Sequence, residues 1–317
     1  MISVVIPLYN KAHTITRTLS TVLEQTFSEF EIVIINDGST DKGTDVISNY
    51  TNDKRVRIID QVNQGVSVAR NQGVLHAKYE YIAFLDGDDE WLPTYLETMY
   101  AAITEFPNAG FICCAGKVRS GGRDYLRLAD KYSDQIVEID FFQNPHVFLH
   151  SSATVVTKTI FNTTSGFPVG MKQNEDYALF FLLGLLSTVV YCGYPLSIYV
   201  GDVQGQATTA TFEEVMSDII KRYNLVFKAY NSQSKSNKSF VIFMKYELRH
   251  TFLILINQNK YNLLQKFIDG LDQGIITQFS GLERYFFKNE YLKPLAKALI
   301  YSSKLRWRLR KYPRIKY

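Results

Sequence analysis

Four carboxylates crowd the end of one apolar run. In IAFLDGDDEW, residues 82–91, the apolar stretch gives way to Asp86, Asp88, Asp89 and Glu90. Like charges this close repel, so they need a counter-charge, and a divalent cation would supply one. Hard ions such as Mg²⁺ or Mn²⁺ take oxygen ligands and keep several waters; one or two carboxylates suffice when substrate phosphates complete the shell. Asp37 ends a second apolar run, in EIVIINDGSTD. Glu175 and Asp176 form a third acidic feature, in NEDYAL, where a carboxylate could take the proton of an attacking hydroxyl.

Ordinary structural roles compete with each of these. Asp37 and Ser39 could form a turn, with Ser39 or Thr40 capping the helix beyond. Asp88 to Glu90 could favour a helix N-terminus just before Trp91-Leu92-Pro93. Asn174 could cap a helix that carries two acids in its first turn. An EF-hand loop counted from Asp86 fails at its sixth position, where Trp91 stands in place of glycine. An Asp-x-Asp phosphatase would want Thr or Val at Glu90, and no phosphate-binding Gly-Lys-Ser/Thr loop is present.

Strand and helix signals alternate through the first 118 residues. SVVIPL, EIVIIND, VRIIDQ, YIAFLD and AGFICCAG are apolar, β-branched runs. Between them lie helical patterns, including GVSVARNQGVLHA with Val66, Ala69 and Val74 inward. Continuous apolar strands separated by helices predict an α/β fold with a mostly parallel sheet and helices on both faces. Ligands of such sheets bind beyond the carboxyl ends of the strands. Asp37, the acids after residue 85 and Pro7, Tyr9 and Asn10 all fall on that rim. Residues 117–144 are weakly patterned and predict a loop or insertion. The uncharged stretch 177–200 is long enough to span a membrane, but Gly193-Tyr194-Pro195 breaks it; it predicts a buried helix to about Leu186 and then a strand. From Phe212 the pattern is helical to the end, with a polar linker at 231–239.

Hydrophobic residues make up 46% of the 317, enough for a sizeable core. Cys113, Cys114 and Cys192 offer neither a disulfide framework nor metal-ligand spacing, which suits a reducing, cytoplasmic setting. The N-terminus carries no secretory pattern. Charge is uneven: residues 291–317 hold nine Lys/Arg and no acid, so the rest is net −5 against +4 for the whole. The tail KALIYSSKLRWRLRKYPRIKY interleaves these cations with apolar residues. That suits an anionic membrane surface, a solvated helix face or a dimer contact; no nucleic-acid motif accompanies it.

In their order, SVVIPLYN, EIVIINDGSTD, NQGVSVARNQG, YIAFLDGDDEWLP and NEDYAL resemble the family 2 glycosyltransferases of GT-A fold, over roughly the first two-thirds of the chain. The resemblance implies a nucleotide-sugar donor, typically UDP-linked, a divalent metal (Mn²⁺ or Mg²⁺) and inversion at the anomeric carbon. The expected acceptor is a glycan or a lipid-linked sugar, and the basic tail at 291–317 would suit a peripheral place on the inner face of the cell membrane. By position, Pro7, Tyr9 and Asn10 would line the nucleotide pocket and Asp37 would accept from the base. Arg70 would border the nucleotide, Asp88 would bind the metal, and Asp86 would act on the ribose or through the metal. Asp176 would be the catalytic base, beside Glu175; Asp89 and His150 are secondary candidates. Residues 1–211 would be the catalytic domain, split near 118 into nucleotide-sugar and acceptor halves, with 212–317 a helical extension. Relatives often close a loop bearing Arg or His over the donor; here IYVGDVQGQATT offers only Gln204 and Gln206. A donor-binding protein without turnover is the alternative from another class.

Overall fold

The computed structural model of the chain describes residues 1–149, 151–201, 210–234 and 236–313. These form two compact units, one within 1–141 and 145–201, the other of Phe142–Asn144 and Ala210–Pro313.

The first unit is an α/β sheet packed by helices. Its strands are β1 (Ile2–Leu8), β2 (Phe30–Asp37), β3 (Val56–Gln61), β4 (Tyr81–Phe84), β5 (Glu90–Trp91), β6 (Ala109–Ser120), β7 (Arg123–Arg127), β8 (Ile136–Ile139), β9 (Thr154–Thr157) and β10 (Thr188–Val200). The helices are α1 (Ile15–Leu23), α2 (Gly43–Tyr50), α3 (Val66–His76), α4 (Tyr95–Glu105), α5 (Pro145–Phe148), α6 (Lys158–Asn162) and α7 (Glu175–Leu186). Strand order is β3-β2-β1-β4-β9-β6-β10-β5, with β7 beside β6 and β8 beside β10. The run β3-β2-β1-β4 is wholly parallel. β9 then runs antiparallel between β4 and β6, and β6 and β10 are parallel again.

Alternation along the strands explains the two helix layers. Ile2, Val4, Ile6 and Leu8 of β1 share one core with Leu19 of α1 and Met99 of α4. Val33 and Ile35 of β2 face the other way, onto Ala69 of α3. Burying each such aliphatic side chain stabilises by roughly 1.5–3 kcal/mol. α3 comes so close to the sheet that a Cβ on Gly73 would lie 2.2 Å from Val5 Cγ1. Only glycine allows that approach, and α3 carries Arg70.

Three local expectations are corrected. Residues 117–144 are not a plain loop: β6 runs to Ser120, turns into β7, and β8 pairs with β10. No helix starts at Trp91; Glu90 and Trp91 pair with Ile198 and Ser197 of β10, and α4 begins only at Tyr95. Val66 is 37% exposed instead of inward, while Ala69 and Val74 are buried. The stretch 177–200 divides into α7 and β10, the strand continuing past Pro195 with irregular register there, as suits a residue that cannot donate to the ladder.

The second unit is helical: α8 (Phe212–Asn231), α9 (Lys238–Asn257), α10 (Tyr261–Gly270), α11 (Gln273–Thr277), α12 (Gly281–Lys288) and α13 (Lys293–Leu309). Ser280 and Glu283 form a reciprocal capping box at the start of α12. Phe252 packs its ring within 5.1–6.1 Å of Phe267, Phe279 and Phe287. Among the described residues, no helix is long and apolar enough to cross a membrane.

Candidate active site

Parallel strands put their C-terminal ends on one rim. A cavity of about 670 Å³ opens there, with Tyr9, Asp37, Arg70, Asp86, Asp88 and Asp176 among its lining residues. The acids that the sequence scatters over 140 positions thus meet on one surface of the first unit.

The crowded carboxylates diverge. Asp86 accepts from Arg70 Nη2 at 2.6 Å. Asp88 pairs with Lys11 Nζ at 2.5 Å. Asp89 turns inward, where it accepts from Ser152 Oγ at 2.5 Å and from the Val200 backbone N–H at 3.0 Å. Burial and the nearby Asp86 hold its carboxyl well above the usual range. Glu90 takes Arg17 at 2.8 Å and Arg119 at 2.9 Å. Much of the counter-charge is therefore supplied by the chain itself. Asp86 and Asp88 line the cavity and Asp89, a secondary candidate, does not.

Arg70 joins two parts of the sequence. Its other amino group donates to Glu175 Oε1 at 3.1 Å, and its guanidinium lies 5.1 Å from the Phe167 ring centroid. Burial opposes its charge, but Asp86 and Glu175 raise its pKa above the ordinary value. Arg70 was expected to border the nucleotide; it lines the cavity while tied between two carboxylates. Glu175 is itself pushed up to about 7, by burial first and then by Asp176, with Arg70 only partly offsetting them.

Asp176 opens α7. Its Oδ2 accepts from Ser151 Oγ at 3.1 Å and its Oδ1 from the Tyr177 N–H at 2.7 Å. The cap suggested for Asn174 is not made by its side chain; the residue sits in the left-handed region at φ 71°, which asparagine tolerates better than most. That turn directs Glu175 and Asp176 along the cavity wall.

The expected nucleotide end has its own frame. Pro7 and Tyr9 line the cavity. Asn10 does not: its Oδ1 accepts from the Thr40 N–H at 2.8 Å and the Asp41 N–H at 3.3 Å, holding the turn after β2. Asp37 accepts from Gln61 Nε2 at 2.6 Å and from the backbone N–H groups of Gln64 and Gly65 at 2.9 and 2.8 Å. Three donors on a carboxylate with about four lone-pair sites leave room for one more. His150, Gln204 and Gln206 lie outside the described residues.

Several lining residues carried no sequence signal. Lys11 follows strand β1 as a lone lysine. Ser151 lies in an unremarkable HSSA. Arg127, whose Nη2 donates to the His146 carbonyl at 2.5 Å, comes from β7, where the sequence predicts a loop.

Donor chemistry decides whether a divalent ion fits. Among the described residues, no three His, Cys, Asp or Glu side chains are grouped to hold one unaided. All candidate ligands on the rim are carboxylate oxygens. Such a set suits a hard ion that arrives with substrate phosphates and takes one or two carboxylates. Lys11 would have to yield Asp88 to it.

Residues 3–163 match the family described as Glycosyl transferase family 2. Over 105 residues the chain is 43% identical to "Uncharacterized glycosyltransferase YibD" of Escherichia coli, covering 33% of this chain and 30% of YibD. The chain spans less than two-thirds of the length of such curated relatives. Among solved structures, TarS 1-349 of S. aureus in complex with UDP-GlcNAc superposes with a TM-score of 0.73 at 19% identity, over 99% of this chain and 93% of that one. The mannosyltransferase PcManGT of Pyrobaculum calidifontis, in complex with GDP-Man and Mn²⁺, gives 0.50 at 17% identity, over 75% and 66%. These likenesses establish the GT-A fold.

Proposed function

The chain belongs to glycosyl transferase family 2, and on that premise we propose that it transfers a hexosyl unit, with inversion and a divalent metal, from a UDP-sugar to a glycan or lipid-linked acceptor. One observation carries this reading: Asp86 and Asp88 at the end of β4 and Glu175 and Asp176 at the start of α7 face a single cavity, with Arg70 bonded to both sets.

In this reading Pro7, Tyr9 and Asp37 receive the nucleoside, and Asn10 keeps the adjoining turn in place. Asp88, with Asp86, would hold Mn²⁺ or Mg²⁺; the ion supplies Lewis-acid stabilisation of the departing diphosphate. Asp176 takes the proton of the acceptor hydroxyl as its oxygen bonds to the anomeric carbon and the carbon–oxygen bond to diphosphate breaks. Attack from the face opposite the diphosphate inverts the centre. Glu175 and Arg70 fix the spacing between the proton acceptor and the phosphate end. Residues 1–118 then form the donor half, 119–211 the acceptor half and 212–317 a helical extension.

The extension brings the enzyme to the cytoplasmic membrane face. Along α13, Leu295, Tyr301, Leu305 and Leu309 are 49%, 54%, 58% and 70% exposed. At 100° per residue they form one stripe, flanked by Lys297 and Lys304 on one side and Arg306 and Arg310 on the other. Flotation with anionic vesicles tests this; unchanged partitioning without residues 291–317 would discard it.

A second reading, donor binding without turnover, draws support from Lys11, which already neutralises Asp88. Asp176→Asn tests the first. Calorimetry should show UDP-sugar binding within about twofold of wild type, while transfer falls 10²–10⁴-fold, the usual contribution of a general base. Unchanged transfer would remove Asp176 from the chemistry.

A further inference from the structure

The second unit holds a cleft of about 200 Å³, lined by Lys245 and Arg249 of α9 and by Arg306 and Arg310 at the end of α13. Trp307 also lines it, stacked on Tyr246 with ring centroids 4.1 Å apart. Each cationic pair is spaced i, i+4, an arrangement that destabilises its own helix. The α13 pair gains from the helix dipole at that end. Lys245 and Arg249 lie midway along α9 and gain nothing from it.

The positive charge is incompletely matched. Arg249 is bound by Glu283 at 2.5 Å and donates to Ser303 Oγ at 3.0 Å. Lys245 donates to the Gln278 carbonyl at 2.5 Å, and Arg310 donates to the Tyr312 hydroxyl at 3.5 Å and lies over that ring. Among the described residues, no carboxylate pairs with Lys245, Arg306 or Arg310. Burial, then Arg249 and Arg306, lower the Lys245 pKa despite Glu283; the ammonium feels its like-charged neighbours across the cleft.

We infer that this cleft is a binding site for a phosphate-ester anion. Guanidinium groups match phosphate oxygens in paired hydrogen bonds, and a bound dianion would offset the uncompensated cations. The volume lies below the roughly 300 Å³ where sites for drug-sized ligands begin. It admits a phosphate group with a few atoms of its ester and no nucleotide-sugar. The phosphate could belong to a lipid headgroup or to a soluble phosphorylated sugar. Leu305 and Leu309, exposed beside Arg306 and Arg310 on the same helix, favour the headgroup. That source rests on the membrane reading above; the phosphate site does not.

The test uses the full chain and the fluorescence of Trp307; the other tryptophan, Trp91, is buried in the first unit. Inorganic phosphate and glucose 1-phosphate are titrated first. Phosphatidylcholine vesicles follow, carrying phosphatidic acid or phosphatidylserine at matched surface charge. R306Q/R310Q is compared with K297Q/K304Q, which removes the same charge from α13 away from the cleft. Saturable quenching by phosphate should weaken at least tenfold in R306Q/R310Q and stay within twofold in K297Q/K304Q. Several-fold tighter binding to phosphatidic acid, lost only in R306Q/R310Q, assigns the headgroup. Saturable phosphate binding without that preference assigns a soluble ester and still supports the site. Equal weakening in the two variants, or no saturable quenching, would overturn it. Absence of vesicle binding with the phosphate response intact would sink the membrane reading alone.

Discussion

Replacing Glu175 with glutamine isolates the most perturbed acid in the cavity. Its side chain is 12% exposed, and burial and Asp176 push its pKa from an ordinary 4.5 to about 7. In the unfolded chain Glu175 gives up its proton near 4.5; in the folded chain it keeps it until about 7. Between those values the folded state binds more protons, so rising pH destabilises it. The stability is fully present below 4.5 and lost above 7. At 1.36 kcal/mol per unit the total is about 3 kcal/mol. Glu175→Gln has no such titration, while most other groups cancel in the difference. Urea unfolding of both proteins from pH 4.5 to 8, followed by Trp91 in the first unit, gives that difference. Wild-type stability minus that of E175Q should fall by about 3 kcal/mol across the range. A flat or rising difference would refute the reasoning that burial beside Asp176 outweighs the Arg70 ion pair.

Related perturbations have calculable outcomes. Arg70→Met leaves Asp86 and Glu175 without their shared cation, and breaking a buried pair costs roughly 3–5 kcal/mol. Denaturation at pH 8 should show that loss, partly regained at pH 5 where Glu175 takes a proton. Gly73→Ala places a Cβ 2.2 Å from Val5 Cγ1; overpacking of this kind costs about 1–3 kcal/mol, readable as a lower urea midpoint at unchanged slope. Because α3 carries Arg70, donor affinity should fall with it.

The chain shows which features are legible in a sequence. Buried parallel strands announce themselves as continuous apolar runs, so β1, β2, β3, β4 and β6 and the rim at their ends could be read directly. Antiparallel additions could not. β5 is two residues long and exists because β10 passes beside it; its acid-rich sequence reads equally well as a helix start. Arg123–Arg127 is mostly exposed and lacks the apolar alternation that marks a half-buried strand. Val66 fits a helical stripe but, as the first residue of α3, lines the cavity and stays partly exposed.

Among the site residues, Asp37, Asp86, Asp88, Glu175 and Asp176 stood out as carboxylates at element ends. Lys11 and Ser151 did not, because they acquire meaning only through contacts with remote positions; Arg70 was marked by the family resemblance, but its ties to Asp86 and Glu175 were not. Asn10 is the reverse case: its position after β1 suggested a ligand contact, while its side chain is consumed by the turn at Thr40 and Asp41. A carboxylate's neighbours decide its chemistry, and most of those neighbours are remote in sequence.

The account stands on Asp88 and a divalent ion at the diphosphate of a nucleotide-sugar. The most direct measurement is nucleotide release from a panel of UDP- and GDP-sugars, with Mn²⁺, Mg²⁺ or chelator, for the wild-type chain and Asp88→Asn. Release from one UDP-sugar, lost with chelator and reduced at least a hundredfold in D88N, is the predicted result. Equal release by both proteins, or release indifferent to the metal, would contradict it.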